Sequence, residues 1–274
     1  MNSSSQSARS KSRTCWPLHL VVLMALTQQA GCMEHKVGDK TTADVFADGP
    51  LRVLAQAACD GDERGVRSAV QRGASPNGAG LRGITPLVWA VSCDSVAGVK
   101  ALLAAGADPN QNIGDEFTSV VYVAVSRNDP GPLKALLDAG AEANVYSLKS
   151  ERTGISQALL HGIDTGDWRH WELMLAKVDI NRPHDRFGET IATRAANLNQ
   201  FQRVVQLLER GYSYQLTRLG RAVEVAENLI EPFATWQRKV VEMLKARGVV
   251  FPVGPTKVQT ITDEDLQRLP ANRR

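Results

Sequence analysis

The sequence predicts an all-α fold, a solenoid of helix-turn-helix repeats joined by hairpin loops, and two observations carry that prediction. The first is a recurring closing motif: Asn77, Asn110 and Asn144 each follow a Gly-Ala-x-x element that begins at Gly73, Gly106 and Gly140, at intervals of 33 and 34 residues. The second is the makeup of the unit from Gly83 to Asn110, which holds two short apolar segments separated by a polar break at Asp94. A register kept across neighbouring units marks a stack in which each unit buries its apolar face on the next.

Within that unit each element has a local cause. Thr85 is placed to cap a helix that starts at Pro86, where a missing N–H costs nothing and a fixed φ helps. Val96, Val99, Leu102 and Leu103 recur at i, i+3, i+6 and i+7, one face of a second helix. Gly106 then ends that helix in the left-handed conformation a side chain resists. These residues resemble an ankyrin repeat, a unit of roughly 33 residues with turn, two helices and the signature T-P-L-H-x-A. Thr85-Pro86-Leu87 match it, and Val88 stands where the family has His.

In chain order, residues 1–32 read as a signal peptide. A Ser-rich start carrying Arg9, Lys11 and Arg13 precedes an apolar run from Trp16 to Leu26, too short to span about 30 Å of hydrocarbon. Ala30-Gly31-Cys32 resembles the end of a bacterial lipobox, which implies a lipid on Cys32, although Gln29 departs from the usual Leu; the other reading is an ordinary signal peptide with Cys32 as an incidental thiol. By the same resemblance, Met33 after the Cys points to the outer membrane. Residues 33–50 are polar and read as a flexible tether.

The repeat domain is expected to cover residues 51–252 with five to six repeats. The first unit, Leu51 to Asn77, has apolar positions on two helices and charged Arg52 on the first, which suits an end repeat with a solvated face. The third carries Thr118-Ser119-Val120 at its opening and Asp129-Pro130-Gly131-Pro132-Leu133 at its outer helix. The fourth drifts: its closing Asn181 follows Asn144 by 37 residues, so a longer loop is expected around His161 to Gly166, with Trp168 and Trp171 in the core. The fifth, Phe187 to Tyr212, returns to pattern, and an irregular sixth holds helices near Leu219–Leu229 and Pro232–Arg247. Residues 253–274 read as a C-terminal tail.

Charge narrows the function classes. The chain has 32 Lys and Arg against 29 Asp and Glu, a formal net charge of +3, but the three leader cations account for the whole excess. A neutral body without a basic stripe argues against nucleic acid as a partner. The sequence lacks a P-loop, a G-x-S-x-G element, a dinucleotide fingerprint and a CxxC pair. His161, Asp164, Asp167 and His170 form a His/Asp cluster that straddles the expected loop, and a polar loop is the plainer reading than a metal centre. His184 and His35 have no sequence neighbours of catalytic type, and Asp108, Glu142 and Asp179 recur as hairpin residues. Neither catalysis nor a cofactor is therefore expected, and no metal.

The resemblance implies a protein-binding role through the hairpin tips and the inner helices. Carried onto this chain, it marks Ser92, Arg127, His161 and Asn197 on the inner helices, and Arg82, Asp115, Glu116, Tyr146, Arg152, Arg186 and Phe187 at the tips. Cys59 and Cys93 fall on adjacent inner-helix slots, where they either form a disulfide or remain two small thiols. A short ankyrin array behind a lipoprotein leader is similar to immunity proteins that neutralise toxic effectors, such as phospholipases of type VI secretion. The alternative is an accessory protein for a resident periplasmic enzyme, for example in oxidative defence. Either way the expected partner is another protein, the expected membrane link an N-terminal lipid alone, and the free state a monomer.

Overall fold

The computed structural model describes residues 36–37, 39–47, 49–113, 119–147, 150–184, 188–226 and 229–254. Its first elements correct the tether expectation. Strands β1 (Lys36–Val37) and β2 (Lys40–Thr41) form a small antiparallel hairpin that leads into helix α1 (Thr42–Val45). Thr41 caps α1, and the Asp44 carboxylate accepts a hydrogen bond from the Thr41 amide at 2.8 Å. Phe46 follows and is fully buried, its ring edge-on to Trp89 at 6.0 Å between centroids. The Trp89 indole donates to Thr42 Oγ1 at 3.1 Å, and Arg52 Nε donates to the Phe46 carbonyl at 2.8 Å. The first repeat is thus covered by this N-terminal strap, and Arg52 serves the strap as well as the solvent. Average composition misses such a segment because two apolar side chains, Val45 and Phe46, anchor it.

Six helix pairs follow among the described residues: α2 (Pro50–Cys59) with α3 (Glu63–Gln71), α4 (Pro86–Ser92) with α5 (Val96–Ala104), α6 (Val120–Val125) with α7 (Gly131–Asp138), α8 (Gly154–Thr165) with α9 (Arg169–Leu175), α10 (Ile191–Asn197) with α11 (Phe201–Glu209), and α12 (Leu216–Glu224) with α13 (Phe233–Lys245). The first helix of each pair packs on the first helix of the next, from α2 through α12. Outer helices α3, α5, α7 and α9 likewise pack in series. This is the all-α ankyrin-repeat solenoid, and one continuous apolar core runs from Leu54 to Val249.

Helix starts follow the cap residues. Thr85 accepts from the Val88 amide at 3.3 Å, Thr153 from Ser156 and Thr190 from Thr193 at the same distance, and Ser119 from Val121. Gly106 has φ +92°, and a Cβ there would meet no atom within 4 Å. The backbone conformation, rather than space, selects glycine at that helix end.

The Asn period has a direct cause. Asn77 Oδ1 accepts from the Asp108 amide at 2.7 Å, while its amide group donates to the Gly106 carbonyl at 3.0 Å. Asn110 accepts from Glu142 N at 2.7 Å, Asn144 from Asp179 N at 2.9 Å, and Asn181 from Ser213 N at 2.8 Å. Each Asn therefore clasps the hairpin of the following repeat. Asp108, Glu142 and Asp179 in turn accept from the amides of Asn110, Asn144 and Asn181 and shape the turns. Asn110→Ala should cost about 1–2 kcal/mol, because exposed turn groups recover part of the loss from water, and a urea titration would show it as a lower midpoint.

The fourth repeat also differs from expectation. Its additional residues lengthen the inner helix to twelve residues in α8, against seven in α4, and Gly166 ends it at φ +76°. Gly162 is needed inside this helix because a Cβ would come within 2.3 Å of the Trp168 ring. Trp171 is fully buried and donates to Gln206 Oε1 at 2.9 Å, whereas Trp168 is half-buried beneath the Arg203 guanidinium at 3.9 Å. At the far end Arg247 donates to the carbonyls of Tyr212 and Leu208, and Val249, Phe251 and Val253 pack on the core. The packed chain thus continues past 252, and residues 255–274 lie outside the described residues.

Candidate interaction groove

A groove of about 600 Å³ opens between the N-terminal strap, α4 and α6. Its floor is apolar, from Ile84, Val88, Trp89 and Val123, and Val37, Lys40 and Val45 of the strap form one wall. Ser92, Tyr122, Ser126, Ser147 and Ser150 add hydroxyl-bearing side chains to its lining. Leu81 and Arg82 sit on the lip, in a 3-10 turn (Leu81–Gly83) where Arg82 has φ +55°, and Leu81 is 51% exposed. The fold places a large apolar side chain in solvent beside an apolar floor, an arrangement suited to another protein's side chains.

Arg127 lines the groove and pairs with Asp94 through two contacts, Nε to Oδ1 at 2.9 Å and Nη2 to Oδ2 at 2.6 Å. Asp94 lies in the turn between α4 and α5 at φ +57°. The pair ties the second repeat to the third and holds a planar guanidinium at the groove rim. Beneath the strap, Cys59 of α2 and Cys93 after α4 are bonded through sulfur, with Cα atoms 5.5 Å apart.

Arg82, Ser92 and Arg127 are thus brought together. Other marked positions are not part of this groove. Tyr146 is only 5% exposed, because Tyr146–Ser147 (β3) pairs antiparallel with Arg152–Thr153 (β4) and folds that tip inward. The expectation of Tyr146 as a tip contact is corrected by that burial, and Arg152 is half-buried in β4. Asn197 is exposed at the end of α10. His161 is half-buried against His170, with ring centroids 4.5 Å apart. Cys32, Asp115, Glu116, Arg186 and Phe187 lie outside the described residues.

Several groove residues escaped sequence reasoning. Val37 and Lys40 were hidden in the supposed tether. Tyr122 occupies a half-buried inner-helix position, and its hydroxyl contacts Ser150 Oγ and donates to Gln157 Oε1 at 3.3 Å. An aromatic residue two positions before the small Ala124 of the repeat pattern was the available signal.

The structure also gives His184 a neighbour that sequence did not: its Nδ1 lies 3.3 Å from Ser156 Oγ. Burial, with Arg194 and Arg182 nearby, lowers the His184 pKa to about 3, so the imidazole is neutral at ordinary pH. Ser156 is itself buried and accepts a hydrogen bond from the cap residue Thr153, and a small recess of about 20 Å³ lies beside His184. That recess is too small for a substrate, and the contact reads as packing.

Comparison with known proteins agrees with the architecture. Residues 82–112 match the family model described as ankyrin repeat. Protein PhlB of Serratia liquefaciens is 29% identical over 184 residues, covering 66% of this chain and 78% of PhlB. The crystal structure of the human ASB11 ankyrin repeat domain aligns with a TM-score of 0.50 at 21% identity, covering 80% of this chain and 92% of that one. Ankyrin repeats imply a protein-binding module.

Proposed function

We propose that this chain is a non-enzymatic binding protein that works in the periplasm, held to the outer membrane by a lipid on Cys32, and that it neutralises a toxic effector by occluding it. A phospholipase of type VI secretion is the effector class that the architecture suggests. The groove carries the reading: a preformed, largely apolar recess with hydroxyl-bearing residues in its lining and an exposed Leu81 beside it. The sulfur–sulfur bond between Cys59 and Cys93 supports an address outside the reducing cytosol, where such bonds persist.

Occlusion would follow from geometry. A rigid stack presents its groove without ordering cost at binding, so a partner loop seated there meets pre-placed apolar and hydroxyl groups. Leu81→Asp places a charge over the apolar floor and should weaken partner binding by about tenfold or more, measured by calorimetry with the purified effector. A strain lacking the gene should become sensitive to its own effector and regain protection from the wild-type gene but not from Leu81→Asp. Full resistance of the deletion strain, or peroxide sensitivity in its place, would overturn the immunity reading.

A further inference from the structure

The ends of α8 and α9 hold a pair of imidazoles that the groove does not use. His161, on the last turns of α8, meets His170, on the first turn of α9, edge to face at 4.5 Å between centroids and 64° between planes. His170 is fully buried, yet neither of its ring nitrogens reaches hydrogen-bond geometry with a partner among the described residues. A buried polar group without a partner is costly and asks for an explanation. His161 is half-buried and connects the pair to solvent.

Sequence spacing sets these residues astride an expected flexible loop, with no third His or thiolate near. The expected loop is helix instead: α8 continues to Thr165, and a hydrogen bond from Thr165 Oγ1 to the His161 carbonyl closes its last turn. Both imidazoles sit on helices whose mutual position is fixed by Trp168 lying across Gly162. Asp167 is not a candidate ligand, since both its oxygens engage Arg169. Among the described residues no group of three or more His, Cys, Asp or Glu side chains is assembled for a metal.

We infer that His161 and His170 form a two-imidazole site for a late first-row divalent cation, with Cu2+ favoured over Zn2+ and water completing the ligand set. Ligation would give a buried His170 nitrogen the partner it lacks.

Equilibrium dialysis of the full chain against CuSO4 and ZnCl2 near neutral pH tests this. One Cu2+ per chain should bind, and His161→Ala should weaken binding by about tenfold or more while keeping the helical circular dichroism, since alanine suits a helix. In NMR spectra Cu2+ should broaden the ring protons of His161 and His170 and leave those of His184 sharp. Absence of saturable binding, binding that survives His161→Ala at full strength, or broadening confined to other histidines would overturn the assignment.

Discussion

Replacing Cys59 and Cys93 by serine should lower the stability of the folded chain by about 3–4 kcal/mol, the largest loss expected from any pair of small side chains here. The two cysteines are 34 residues apart in sequence, so the bond closes a loop that spans a whole repeat and restricts the unfolded chain accordingly. The native side gains as well: Cys59 is buried and shares a small apolar cluster with Val45, Phe46, Ala55 and Trp89, against which Cys93 packs. Urea titration of the oxidised protein beside the double serine variant measures the difference. Adding a thiol reductant should shift the midpoint of the wild type toward that of the variant and leave the variant unmoved. Equal midpoints for the two proteins would show that the bond contributes nothing to stability.

Phe46→Ala should cost about 3–5 kcal/mol at the strap, because a fully buried aromatic ring leaves a cavity that its rigid neighbours fill poorly. The loss should be felt locally. The strap is otherwise held by the Trp89–Thr42 and Arg52–Phe46 hydrogen bonds, so removing the ring lets residues 36–46 open while the later repeats remain folded. Hydrogen exchange should therefore accelerate in that segment and at Trp89, with α10 and α11 unaffected. Uniform acceleration along the chain would contradict a strap that docks as a local unit on the first repeats. Because Val37, Lys40 and Val45 wall the groove, the same variant should bind a protein partner more weakly.

The repeat architecture was legible because its signals are local and recur. Thr85, Pro86 and Gly106 announce one helix start and one helix end, and the spacing of Asn77, Asn110 and Asn144 gives the period before any contact is known. The strap was not legible, since Val45 and Phe46, adjacent among polar residues, have no period to reveal them. The fourth repeat misled for a related reason. Polar His161, Asp164 and Thr165 suggest a loop, yet continued helix satisfies their backbone groups and only Gly166 stops it. For the groove, Arg82, Ser92 and Arg127 could be placed from the repeat alignment. Ser147 and Ser150 required knowing that the β3–β4 tip folds inward, which depends on pairing between residues that are not neighbours in sequence.

The asparagine clasps carry a consequence for how such a chain can change length. Asn144 still reaches the Asp179 amide although the unit between Asn144 and Asn181 is longer than its predecessors, because the surplus residues leave at the opposite end of α8. Growth at one pole of a unit leaves the coupling at the other pole intact. A whole module excised or duplicated from one asparagine to the next should therefore rejoin without a mismatched seam, whereas the same cut made between the two helices of a module would orphan a coupling on each side.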